Sequence, residues 1–343
     1  MVSAPLKLNP VSLNPARLAP AAAEAIAPAR VSSTSPVEIA LRNVGVSYSA
    51  GKDGIKTVLS SIDLEIAAGE FVVLLGETGC GKSTLLRLIL GQEFPTTGSV
   101  AVDGKPVQRI DARSGYVPQK YSLFPDRTVL GNVMYGPENA HASPLGRLSP
   151  SYRRFRRKLR TEAIQYLTRM GLRPQDMTKY PYQLSGGMQQ RVAIAQALLM
   201  RPPVLLMDEA FSALDPSTRS SLQEQIHAIW TESRPTIVFV THNTSEALLL
   251  GTRLILLGRH QDGQAQESPV RGNILLDMKL PASTLSMEER SCTAEFRELH
   301  DHVRQLAFAS SSMYREPGNQ RLGNQGQPQP AAPDSSEKEN SLS

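Results

Sequence analysis

The stretch that most constrains this chain is Gly76-Glu77-Thr78-Gly79-Cys80-Gly81-Lys82-Ser83-Thr84. It follows Phe71–Leu75 (FVVLL), a continuous apolar run of the kind expected in a strand buried on both faces. It precedes Leu85, Leu86, Leu88 and Ile89, whose spacing predicts a helix. A glycine-rich loop between a strand and a helix lets backbone N–H groups converge on phosphate oxygens. Glycine keeps side chains out of the way, and the following helix turns its positive end to the anion. In such a loop Lys82 reaches the β- and γ-phosphates of a nucleotide, Ser83 ligates Mg²⁺ and Thr84 adds a hydroxyl. ATP or GTP binding is therefore expected.

Two further strings fit that chemistry. Asp208 and Glu209 close the apolar run Val204–Met207. A carboxylate at a strand's carboxyl end suits the Mg²⁺ shell, and its neighbour can orient or deprotonate an attacking water. Leu184–Arg191 reads LSGGMQQR. Ser185, Gly186 and Gly187 at a helix start form a second anion-binding end. One nucleotide does not need two such ends from one subunit, so a second subunit is expected to donate this one across an interface. Adjacent glycines weaken a helix, which a simple cap would not explain.

The rest of the chain frames these motifs. Val37, Ile39 and Leu41 alternate as a half-buried strand does, as do Ile62, Leu64 and Ile66. Ser99–Gly104 ends in Asp-Gly, a hairpin signal. Residues 127–200 read mostly helical. Residues 203–209 and 236–242 read as buried strands, separated by a helix started at Pro216. Strands alternating with helices predict an α/β fold with a mainly parallel sheet. Apolar residues are 40% and charged residues 20%, which excludes a wholly disordered chain, a collagen or a coiled-coil rod. Cys80 and Cys292 are too few for a disulfide scaffold and point to a reduced setting. No apolar run is long enough to span a membrane, and the N-terminus lacks the apolar core of a signal peptide. Pro5, Pro10, Pro15, Pro20, Pro28 and Pro36 mark residues 1–36 as a disordered arm. Residues 312–343, rich in Gly, Asn, Gln, Pro and Ser, read as a disordered tail.

In the order and spacing of these motifs, Val37–Leu257 closely resembles the nucleotide-binding subunit of an ABC transporter. The resemblance implies a P-loop ATPase with a mainly parallel core sheet, an antiparallel β subdomain and a helical signature subdomain over 37–260. It gives Tyr48 the place of the aromatic that stacks on adenine. Gln119, in YVPQ, matches the Q-loop glutamine that senses Mg²⁺ and the γ-phosphate. LSGGMQQR matches the family signature, Asp215 in SALD the D-loop near the dimer axis, and His242 the switch histidine on the γ-phosphate. Met188, Asn243 and Glu77 depart from common family choices without removing a reactive group. The resemblance thus implies a homodimer around two ATP molecules, with Ser83, Gln119 and Asp208 about Mg²⁺ and Glu209 placing the water. It also implies a permease partner, a solute-binding protein and a peripheral place on the cytoplasmic face of the cell membrane. YSLFPDRTVLGNVMYG (121–136) and the region around 180–198 are similar to importers for nitrate, sulfonate and taurine. Rival readings are a DNA-repair or ribosome-acting ABC ATPase and an exporter. Nucleic acid is not expected as a partner. The first rival lacks sustained heptads here, the second usually has two cassettes, and the third often has fused membrane helices.

Three features stand outside that scheme. Residues 261–311 read as a small extension. Cys292, Phe296, Leu299, Val303 and Leu306 there make one apolar helix face, expected to pack on its own domain, with Ser286 and Glu289 as a capping box. Residues 153–160, RRFRRKLR, read as a solvated face; anionic lipid, acidic permease loops and nucleic acid are the alternatives. Cys80, beside Lys82 and a helix N-terminus, is expected to be reachable in the empty site with a lowered pKa. Cys292 is expected to react slowly.

Overall fold

The computed structural model describes residues 36–312, apart from 50–53, 111–112, 121, 142–145, 213, 260–272 and 282–284. The arm before Pro36 and the tail after Ser312 lie outside the described residues.

Two sheets share the work. The first is antiparallel, with strands in the order β2-β1-β4-β5. These are β1 (Val37–Ser49), β2 (Ile55–Ala67), β4 (Thr97–Val102) and β5 (Lys105–Pro106). Ile39 and Leu41 are buried while their neighbours are not, as the alternation predicts. Asp103 and Gly104 both take positive φ (52° and 66°), which closes the two-residue hairpin turn between β4 and β5.

The second sheet runs β10-β9-β3-β8-β7-β6. Its strands are β3 (Phe71–Gly76), β6 (Ser114–Val117), β7 (Val204–Asp208), β8 (Thr236–Thr241), β9 (Arg253–Leu257) and β10 (Ile274–Lys279). β9, β3, β8, β7 and β6 are mutually parallel, and β10 runs antiparallel beside β9. Every residue of β3, β8 and β9 is buried, which explains runs that do not alternate. β10 falls in the segment read as an extension, yet it is an edge strand of this sheet.

Helices cover both faces of the sheet. Helix α1 (Lys82–Leu90) packs with the antiparallel sheet in one apolar cluster. On the other face lie α2 (Val129–His141), α3 (Pro150–Arg169), α4 (Gly186–Leu199), α5 (Pro216–Ser233) and α6 (Thr244–Leu250). The last elements among the described residues are α7 (Met287–Ser291) and α8 (Ala294–Ser312). Val303 of α8 is fully buried, and Phe296, Leu299 and Leu306 pack on the same cluster. The apolar face of the extension thus docks on its own chain. Cys292 is a correction: it is exposed and caps α7, two residues before α8 begins, so it does not share that face. The Ser286–Glu289 capping box is present, but it starts the short α7.

Candidate functional site

Parallel pairing of neighbouring strands brings their carboxyl ends to one edge of the sheet. Leu75 is level with Thr241, and Asp208 with Val240. The loops that follow β3, β8, β7 and β6 therefore carry Gly76–Lys82, His242, Glu209 and Gln119 to that edge.

The phosphate loop is held from within. Lys82 is 5% exposed, and its Nζ donates to Gly76 O at 2.6 Å and Glu77 O at 2.8 Å. Gly81 has φ +105°, and a Cβ there would meet Leu59 at 2.6 Å, so only glycine serves. Cys80 is the second correction. Its side chain is 1% exposed and packs under the loop with Leu85, Leu88 and Leu59 in the buried cluster. Burial pushes the Cys80 thiol up, outweighing the neighbouring Lys82 ammonium. Dehydration of the thiolate, absent from a reading of sequence neighbours, decides the sign. Ser83 and Thr84 begin α1, and Tyr48 stands beside Thr84, donating its hydroxyl to Glu93 Oε2 at 2.7 Å. Tyr48 is 41% exposed, so its ring is open to a ligand.

Opposite the loop, Ser83 Oγ donates to Asp208 Oδ1 at 3.3 Å. Burial raises the Asp208 carboxyl above its ordinary value, against the pull of that hydroxyl. Hydroxyl and carboxylate oxygens suit a hard divalent cation, and they leave most of its shell to phosphate and water. No group of three or more His, Cys, Asp or Glu side chains that could hold a metal occurs among the described residues. Glu209 sits between two partners. Gln119 Nε2 donates to Glu209 Oε2 at 2.9 Å, and His242 Nδ1 lies 3.2 Å from Glu209 Oε1. Glu209 also has φ +44°, a left-handed backbone held by its N–H bond to Val240 O. That conformation aims the side chain out of the strand direction and toward the two partners.

The structure does not bring every expected residue into this cluster. Ser185 is the N-cap of α4, where its Oγ accepts from Met188 N–H at 3.3 Å. Among the described residues it makes no hydrogen bond to the phosphate loop of its own chain. Gly186 and Gly187 open the same helix, and a Cβ on Gly187 would lie 3.2 Å from Leu214. Asp215 caps α5, accepting from Thr218 N–H at 3.0 Å and from the Ser217 hydroxyl at 2.7 Å. Those donors, the Thr218 N–H first, hold its carboxyl well below the usual range.

Several contributors escaped the sequence reading. Arg259 Nη2 donates to Thr78 O at 2.9 Å, and its Nε lies 3.9 Å from Glu77 Oε2. Glu246, buried in α6, accepts from the Thr241 hydroxyl at 2.7 Å and faces Arg219 Nε at 3.6 Å. Arg219 in turn donates to Leu214 O at 2.9 Å, tying the loop before Asp215 to the loop of His242. A cleft of about 650 Å³ opens beside Glu77, Thr78 and His242, walled on its far side by Arg259, His300 and Arg304. None of these carries a local motif; only the tertiary fold makes them neighbours.

A family model described as "ABC transporter" matches residues 59–212. An aliphatic sulfonates import ATP-binding protein of Burkholderia ambifaria is 38% identical over 256 residues, 75% of this chain and 69% of its own length. The chain belongs to the ABC transporter ATP-binding family. A nitrate import ATP-binding protein of Synechococcus elongatus is 40% identical over 204 residues, covering 60% of this cassette's chain and 70% of the relative. A dimeric ATP-binding cassette solved in a post-hydrolysis state with ADP and Pi superposes with a TM-score of 0.58. It is 32% identical, and the match covers 71% of this chain and all of that one. The cassette is thus an ATP-binding ATPase of the transport family. No helix among the described residues is long and apolar enough to cross a membrane.

Proposed function

We propose that this cassette hydrolyses ATP to drive import of a small anion or organic solute, of the nitrate or sulfonate kind, through a membrane permease. The observation that carries the reading is the convergence of Lys82, Gln119, Glu209 and His242 on one sheet edge, beside Ser83 and Asp208. The imported solute follows the relatives' names, since this cassette does not itself need to touch it.

In this reading ATP lies on Gly76–Thr84 with its adenine against Tyr48. The Lys82 ammonium gives up the Gly76 and Glu77 carbonyls for the phosphate oxygens. Ser83, Asp208 and Gln119 would hold Mg²⁺, which when bound would supply positive charge to offset that of the phosphates. Glu209 orients the attacking water and accepts its proton, and His242 donates to the γ-phosphate. Ser185, Gly186 and Gly187 of a second copy close the site from the other side, with Asp215 near the axis between copies. Ser185 spends its hydroxyl capping its own helix and, among the described residues, makes no hydrogen bond to its own chain's loop, which supports that exchange. The cassette then sits peripherally on the cytoplasmic face of the cell membrane, with permease subunits and a solute-binding protein as partners.

Glu209→Gln tests the core of this. The amide keeps shape and loses basicity, so turnover should fall by about 10²–10⁴ while ATP affinity holds. Gel filtration with ATP should then recover a stable dimer. Near-normal turnover in the variant would remove Glu209 from its role.

A further inference from the structure

Helix α3 carries a buried apolar face and, beside it, an exposed cationic one. Tyr152, Leu159, Ala163 and Leu167 are buried against the helical subdomain, which fixes the helix in place. Outward face Arg153, Arg157 and Arg160, one stripe by their spacing of four and three, with Arg154 and Lys158 beside it. All five are exposed. The carboxylates nearby are taken by other cations. Glu138 pairs with Arg156 at 2.7 Å, and Glu162 with Arg201 at 3.2 Å and Lys158 at 3.9 Å. Among the described residues, Arg153, Arg154, Arg157 and Arg160 form no side-chain ion pair or hydrogen bond. A simple solvated face would place opposite charges at helical spacing within this stripe, and it does not.

A second observation lies at the same end. Leu148, in the short turn Gly146–Leu148 just before α3, is 77% exposed, more than any other large apolar side chain described. An exposed leucine next to a dense cationic stripe combines the two forces that hold a protein segment on an anionic bilayer. Nucleic acid would be served by the charges, but a bare leucine adds nothing to phosphate contacts.

We propose that the outward face of α3, with Leu148 at its tip, rests on anionic lipid headgroups beside the permease. The proposal rests on the transporter membership, which holds the cassette at a membrane surface. Its consequence is that the helical subdomain has a lipid contact independent of the nucleotide. Binding then depends on bilayer charge and weakens as salt screens it over about 10 Å.

The test is flotation of the full chain with vesicles of phosphatidylglycerol and phosphatidylcholine in equal parts, against pure phosphatidylcholine. The expected result is binding to the anionic vesicles only, reduced at least tenfold in the triple variant Arg153→Glu, Arg157→Glu, Arg160→Glu, with ATPase turnover unchanged. Leu148→Asp should weaken it by a smaller factor. A control, Arg42→Glu, Lys105→Glu, Lys279→Glu, makes the same change of net charge at exposed sites elsewhere and should still bind. Equal loss in the control means only net charge is read, and the proposal fails. It fails too if the triple variant binds as before, if neutral vesicles bind equally, or if duplex DNA is held at salt where vesicles are not. Loss of turnover in the unaltered chain would instead count against the ATPase reading.

Discussion

A single side chain's chemistry here is set by what buries it more than by its sequence neighbours. Cys80 has Lys82 two positions away and a helix N-terminus beside it, yet its thiol points into the apolar cluster. A maleimide should therefore label exposed Cys292 and leave Cys80 untouched in nucleotide-free protein, read by peptide mapping. Rapid labelling of Cys80 would mean that the loop opens enough to turn its underside to solvent. The setting of Lys82 and Ser83 was legible because it is local: a strand end, a loop and a helix start within a dozen residues, and Glu209 stood out only as the close of an apolar run. Arg259 was not, because 181 positions separate it from the Thr78 carbonyl it holds. Glu77 gives the physical reason for such a partner. It puts a carboxylate at the mouth of an anion site, and the guanidinium offsets it.

Elements set the loops, and one buried carboxylate reports on them. Glu246 anchors the start of α6 through Thr241 and Arg219. Burial raises its carboxyl above the ordinary 4.5, with the Thr241 hydroxyl and Arg219 only opposing that shift. A raised folded-state value means the stabilising contribution is full in acid and is lost as pH rises from about 4.5 through the raised value. The stability of the natural protein relative to Glu246→Gln should therefore decline from pH 4.5 towards neutrality in denaturant titrations. A difference independent of pH would show that Glu246 is as solvated as an open-chain carboxylate. Most elements were readable from periodicity, and the caps Ser185 and Ser286 too, whereas Asp215, read only as a D-loop residue, also caps α5. The helix carrying Val303 begins later than its apolar spacing suggests. Thr293 Oγ1 accepts from Phe296 N–H at 3.2 Å, and that cap outcompetes a start at Cys292. Hydrophobic spacing continues through a turn as readily as through a helix, so it cannot mark the boundary.

At the scale of the whole molecule, the last described helix is tied into the core. Val303 of α8 is fully buried in the cluster that also contains Phe239 and Leu248. Val303→Ala should cost about 1–3 kcal/mol and lower the melting temperature, while Glu298→Ala on the exposed side should not. An unmoved melting temperature for Val303→Ala would show that α8 is dispensable to the core. Alternating strands and helices made the parallel sheet legible, but not its order, since buried runs carry no record of which run lies beside them. β10 escaped for a related reason: Asp277 and Lys279 give it an edge strand's mixed character. That strand order also has a cost in time. Phe71 pairs with Ile237 and Val72 with Arg253, so the strand bearing the phosphate loop waits for partners made near the end of synthesis. At roughly 5–20 residues per second, the nascent β3 stays without neighbours for on the order of ten seconds or more. During that interval α2 to α4, whose partners are close in sequence, can assemble first. The apolar run that makes the best buried strand is thus also the stretch most exposed to misassociation on the ribosome.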